Sequence, residues 1–186
     1  EHHPLYIDPF IYVPTIQGKI YKIDSSTGEA VGEMDTGGLL LGDLCSDGYF
    51  LFIATSSGKV LCLEPDSLKT EWETDHELAL FSAPVYSKGY LYLCGREGSL
   101  VKLAALDGSL VWEKPLAGVT VAPPAVSDDY LFTGTKNGHL TAHDIESGEQ
   151  LWEKRIEEGV SCSPLVYMDY VYFCTDRGKV YAFHTK

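Results

Sequence analysis

Tyr130-Leu-Phe-Thr-Gly-Thr-Lys-Asn-Gly138-His-Leu-Thr-Ala-His-Asp144-Ile-Glu-Ser-Gly148-Glu-Gln-Leu-Trp152-Glu153 decides the fold, because it holds two short strand patterns, two glycine turns and a third strand in 24 residues. Tyr130 to Thr133 and His139 to His143 are rich in aromatic and β-branched residues and are bounded by turn formers. No long window carries apolar residues at helical spacing. With Pro124 to Val126 before them and Gln150 to Lys154 after them, they make four strands.

Outward from this stretch the pattern repeats. Gly18, Gly58, Gly98, Gly138 and Gly178 recur every 40 residues without insertion or deletion. An aromatic ring keeps phase with them at Phe10, Phe50, Tyr90, Tyr130 and Tyr170, and a proline at Pro4, Pro84, Pro124 and Pro164. All three tryptophans, Trp72, Trp112 and Trp152, are repeat residues, each followed by glutamate. A period of this length is common to helical arrays and blade repeats, and the strand pattern selects blades.

Gly138 is expected in the left-handed region at the end of a hairpin, where a side chain would be strained. The next turn, Asp144 to Gly148, opens on an aspartate that can accept hydrogen bonds from the turn's own amides, and Asp24 to Gly28 repeats it. Blade three keeps only Asp107-Gly108 and blade two has Leu68 at the glycine position, so those two turns are expected to differ in shape.

Gly178-Lys-Val-Tyr-Ala182 and the run from Asp144 to Glu153 resemble the pyrroloquinoline-quinone-type β-propeller repeat. The resemblance covers residues 4 to 186 and implies an all-β β-propeller of four-stranded antiparallel blades, with each outer-strand tryptophan docking on a neighbouring blade. The repeats run over about 4–41, 42–81, 82–121, 122–161 and 162–186, forming one domain. The fifth stops after its third strand, so the chain reads as a partial propeller or a ring with one short blade. A piece would expose blade faces, and exposed apolar faces are expected to be covered by another copy. The start at Glu1-His2-His3, directly before the first strand, reads as that of an excised fragment, with the two histidines either tag remnants or native.

Composition fits a soluble globular chain, with 45% hydrophobic and 22% charged residues. No stretch approaches the length of a membrane span and no signal-peptide pattern opens the chain. A formal charge of −13 argues against nucleic acid or an anionic membrane as the main partner, and the acid reads as a solvated rim.

Chemistry-bearing residues fall into the repeat register. Cys94 and Cys174 occupy the slot of Pro14, Ala54 and Gly134, and Cys162 that of Gly42, Ser82 and Ala122. These are small-residue positions, so the cysteines are expected to be buried small apolar residues; with Cys45 and Cys62 they form no CxxC motif. Reduced cysteines point to the cytosol, whereas the resemblance points to the periplasm, leaving the compartment open. His139 and His143, four apart on a strand, would stand roughly 13 Å apart, too far to share a metal. His139 occupies a surface slot that holds lysine at Lys19, Lys59 and Lys179. No nucleophile elbow, Walker loop or zincin motif occurs, and Asp24 and Asp144 are read as turn residues.

The expected function is therefore a non-enzymatic interaction scaffold with a protein partner, a fragment or appended domain of a larger protein. No metal and no cofactor is assigned, since no site for pyrroloquinoline quinone is recognisable. Two alternatives stand beside it: a fragment of a quinone-dependent dehydrogenase, and a ligand-sensing domain that dimerises through edge strands.

Overall fold

Phe132 and Leu140, both sealed from solvent, illustrate how the blade unit forms, since they lie on adjacent strands that pair from Tyr130↔Asp144 to Gly134↔Leu140. Thr135 Oγ1 accepts the His139 amide at 2.9 Å, the Gly138 amide donates to Thr135 O at 3.1 Å, and Gly138 sits at φ +83°. At the other end, Asp144 Oδ1 accepts the Glu146 amide at 3.2 Å and the Ser147 amide at 2.8 Å, and Gly148 turns the chain at φ +70°. The chain then returns as an outer strand whose register shifts between Ala142 and His143.

The computed structural model describes residues 2–76, 80 and 82–185. Blade one comprises β1 (Leu5–Ile7), β2 (Phe10–Pro14), β3 (Lys19–Asp24) and β4 (Ala30–Asp35). Blade two follows with β5 (Cys45–Ser46), β6 (Leu51–Ala54), β7 (Lys59–Leu63) and β8 (Thr70–Asp75). Blade three has β9 (Val85–Ser87), β10 (Tyr90–Gly95), β11 (Ser99–Ala104) and β12 (Leu110–Pro115), and blade four β13 (Ala125–Val126), β14 (Tyr130–Gly134), β15 (His139–Asp144) and β16 (Gln150–Arg155). Blade five has β17 (Leu165–Tyr167), β18 (Tyr170–Cys174) and β19 (Val180–His184). Each sheet is antiparallel in sequence order, giving four four-stranded blades and a three-stranded fifth of an all-β propeller. The boundary at residue 81 and the terminal residues 1 and 186 lie outside the described residues.

Strand periodicity explains how the blades stack. On β6, Leu51 and Ile53 pack toward blade one, whereas Phe52 and Ala54 pack toward blade three. On β10, Leu91 and Leu93 join blade two, and Tyr92 and Cys94 join blade four. Both faces are covered, so these strands read as continuous apolar runs rather than alternating ones. Each fully buried side chain of this kind contributes about 1.5–3 kcal/mol, so the seams carry most of the stability. A fourth cluster, with Phe132, Leu140, Val171 and Phe173, joins blades four and five. No cluster among the described residues joins blade five to blade one.

The turns of blades two and three do not differ in shape from the others, contrary to the expectation from their sequences. Leu68 sits at φ 57° and Gly108 at φ 72°, beside Gly28 at 74° and Gly148 at 70°. In all four the residue at this position donates its amide to the carbonyl four residues back, at 2.8–2.9 Å. Glu64 does for blade two what aspartate does elsewhere, accepting the Asp66 and Ser67 amides.

The seam shows why leucine is held in a conformation that favours glycine. A Cβ on Gly108 would lie 2.7 Å from the Trp72 ring, and one on Gly148 would lie 2.9 Å from that of Trp112. Each tryptophan thus occupies the space over the next blade's turn. Blade one has Gly32 in place of the tryptophan, and Leu68 fills the vacancy from the other side, within the cluster of Tyr12, Ile20 and Leu51. Leu68→Gly is expected to cost about 2 kcal/mol, the cavity term exceeding the relief of backbone strain. Urea unfolding of the Gly32→Trp/Leu68→Gly double variant should recover most of that loss, and strictly additive effects would refute the pairing.

Candidate interaction surface

The residues singled out by the repeat do not converge. Gly18, Gly58, Gly98, Gly138 and Gly178 all have positive φ at the ends of the middle hairpins. Asp24 and Asp144 lie at the opposite ends of the same strands. Ser26 donates its amide and hydroxyl to Asp24 at 2.8 Å and 2.6 Å and holds that carboxyl below the ordinary range; Ser147 does the same for Asp144. Both aspartates are therefore charged acceptors committed to their turns. Trp72, Trp112 and Trp152 stand in the seams, where Trp72 Nε1 donates to Ala105 O at 3.1 Å and Trp152 meets Phe173 and Phe183 of blade five.

The histidines are likewise taken up locally. His139 pairs with Glu153, as Lys19 pairs with Glu33 and Lys59 with Glu73. His143 is buried between Thr141 Oγ1 and Gly148 O, and burial pushes its pKa below the ordinary histidine value.

A second set of residues meets where the chain enters each innermost strand. His3, Gly42, Asp43, Ser82, Ala122 and Ser161 line a cavity of about 270 Å³. The His3 amide and ring nitrogen both contact the Asp43 carboxylate at 2.8 Å. Ser82 Oγ is buried without a hydrogen-bond partner among the described residues. The repeat register shows small side chains at 42, 82 and 122, but no sequence motif marks their convergence.

Blade five supplies the largest departure from the pattern. Val171 and Phe173 are sealed against blade four, whereas Tyr170, Cys174, Val180 and Ala182 face outward. Val180 is 63% exposed where its counterpart Leu140 is 0%, and Leu165 is 64% exposed where Ala125 is 9%. Met168 and Tyr167 extend this apolar surface. Two sequence expectations fail on the same face. Cys162 and Cys174 are exposed rather than buried, because no blade among the described residues covers blade five over the slot that buries Ser82 and Ala122 or over the one that buries Cys94. Cys162 Sγ lies 3.3 Å from Cys174 O.

An ion pair stands beside the face. Lys179 contacts Glu158 at 2.7 Å, and with Thr175 it holds that carboxyl below its ordinary range. An open apolar sheet face with a charged margin suits association with another protein surface.

Comparison with known proteins agrees with the geometry. A family model described as outer membrane protein assembly factor BamB matches residues 16–123 and 96–186. A curated protein of that description from Burkholderia pseudomallei (strain K96243) is 30% identical over 86 residues, which is 46% of this chain and 22% of the relative. The crystal structure of BamB from Moraxella catarrhalis superposes with a TM-score of 0.84 at 16% identity, over 98% of this chain and 60% of that one. Quinohemoprotein alcohol dehydrogenase from Comamonas testosteroni superposes with a TM-score of 0.83 at 13% identity, over 100% of this chain and 41% of that one. The chain thus spans less than two thirds of each of these proteins, and the structural likenesses establish the propeller fold.

Proposed function

This chain belongs to the family of the outer membrane protein assembly factor BamB, and from that premise we propose that it acts as a non-enzymatic interaction scaffold that docks a protein on the open face of blade five. One observation carries the reading: positions sealed by the next blade in blades two to four have no cover in blade five among the described residues, with Val180 63% exposed against 0% for Leu140. The surface that fits best is another blade of the same repeat, because the bare positions are those through which every other seam is made. A second copy of the chain carries such blades.

Concentration-dependent self-association is the expected outcome in size-exclusion chromatography with light scattering. Val180→Glu should abolish it while circular dichroism stays unchanged, since a carboxylate buried without a partner opposes docking. A strictly monomeric particle at high protein concentration would overturn self-association. Titration with pyrroloquinoline quinone and calcium separates the scaffold from the dehydrogenase reading: the scaffold gives no change in cofactor absorbance, and a saturable change would favour the dehydrogenase.

A further inference from the structure

Two blade seams hold a buried lysine at the same repeat position. Lys22 places its ammonium 3.7 Å from the centre of the Phe10 ring and donates to Asp66 O at 2.8 Å and to Asp66 Oδ1 at 3.4 Å. Lys102 lies 4.1 Å over Tyr90 and donates to Ile145 O at 3.1 Å and Glu146 Oε2 at 3.0 Å. Each reaches from an aromatic ring of its own blade to the acidic turn of the next. The charge is retained at a buried position by the ring face, a carbonyl and a carboxylate together.

The seam between blades two and three keeps the ring, as Phe50, but loses both ends of the pair. Cys62 stands where the lysine would be, and Leu106 where the turn acid would be. The missing side chain leaves a cleft of about 600 Å³ lined by Phe50, Cys62, Trp72, Tyr86 and Leu106. Leu106 is 87% exposed at its mouth. Negative charge has moved rather than vanished. Glu71 replaces Val31, Val111 and Leu151 of the other blades, and it lines the cleft together with Asp47 and Asp107. Burial pushes the Cys62 thiol up to about 12, aided by Asp47 and Glu71, so the sulfur stays neutral and both carboxylates act on this point.

We infer that the cleft between blades two and three binds an alkylammonium group supplied from outside the chain, in the place where Lys22 and Lys102 supply one from within. The aliphatic stem runs past Leu106 and Cys62, and the ammonium meets the faces of Phe50 and Trp72 beside Glu71. The group is a lysine side chain of a partner polypeptide or a free primary amine. Occupancy of this cleft is separate from association at blade five, so either can fail without the other.

Calorimetric titration of the intact protein with Nα-acetyl-lysine amide and with n-butylammonium should give saturable binding. The neutral Nα-acetyl-norleucine amide should bind about tenfold more weakly or worse, because it lacks the cation–π and carboxylate attractions. Glu71→Val, which restores the residue of blades one and three, should weaken the amines about fivefold. Cys62→Lys with Leu106→Glu rebuilds the flanking seams and should abolish binding in a protein that melts cooperatively. Should that double variant fail to fold, Glu71→Val decides. A lysine peptide that binds more tightly than acetyl-lysine amide identifies a polypeptide source, and equal affinity a free amine. Absence of saturable binding, equal affinity for the norleucine analogue, or undiminished affinity in Glu71→Val or in the folded double variant would overturn the assignment.

Discussion

Replacing Trp112 with alanine should lower the unfolding free energy by about 3 kcal/mol, the low end of the range for large aromatic truncations because the indole is only half-buried. Its ring lies 6.4 Å from that of Tyr92 in its own blade and against Gly148 of the next, beside the buried Leu131 and Ile145. Removal therefore opens a seam rather than a surface, and in a repeat array a weakened seam is shared by both blades it joins. The polar end of the indole contributes nothing, since Trp112 Nε1 is buried without a hydrogen-bond partner among the described residues. Trp72 Nε1, by contrast, donates to Ala105 O at 3.1 Å. Trp112→Phe should accordingly be milder than Trp72→Phe by about 1 kcal/mol, the net worth of one hydrogen bond. Urea unfolding followed by far-ultraviolet circular dichroism measures both. A loss below about 1 kcal/mol for Trp112→Ala, the typical size for an ordinary substitution, would show that the ring is no seam anchor.

Interactions within one blade were largely legible in the sequence, and those between blades were not. The blade-four strands could be read from Tyr130 to Thr133 and from His139 to His143 because turn formers bound them, and the structure extends each by one residue, to Gly134 and Asp144. Pro124 falls outside β13, which starts at Ala125, as suits a residue with no amide to donate. Seam chemistry needs a second register that pairs Trp72 with Gly108, Trp112 with Gly148 and Gly32 with Leu68. Read along one repeat, Leu68 is a missing glycine. Read across the seam, it replaces a missing tryptophan. The same holds for Cys62, whose meaning depends on Leu106 in the next blade, and this is why the cleft between blades two and three has no local sequence motif. Cys162 and Cys174 failed for a different reason. Their slots are small, as the repeat shows, but burial there depends on a covering blade, which is a property of the neighbour and not of the slot.

Gly138→Ala and Gly178→Ala should differ sharply although both glycines sit at φ +83°. Left-handed backbone costs an alanine about 1–2 kcal/mol, and that strain is common to the two positions. What differs is the space around the added methyl. At Gly138 it would lie 2.3 Å from Ile156 O and 2.9 Å from Glu158 O, on the segment that leaves the outer strand of blade four. The Ile156 amide also donates to Gly138 O at 2.9 Å, so the two backbones are tied and cannot separate cheaply. Blade five has no outer strand among the described residues, and a methyl at Gly178 meets nothing within 4 Å. Gly178→Ala should therefore show the strain alone, about 1–2 kcal/mol, whereas Gly138→Ala adds a backbone clash and should reach about 4 kcal/mol. Thermal and urea unfolding of the two variants side by side isolates the clash, because strain and unfolded-state effects cancel in the difference. Equal losses would mean that the 40-residue glycine period records only turn conformation. The expected gap means that it also records the close passage of the outer strand's exit loop behind the hairpins of blades one, three and four, and an experiment that covers blade five with a partner can then ask whether Gly178 becomes as intolerant as Gly138.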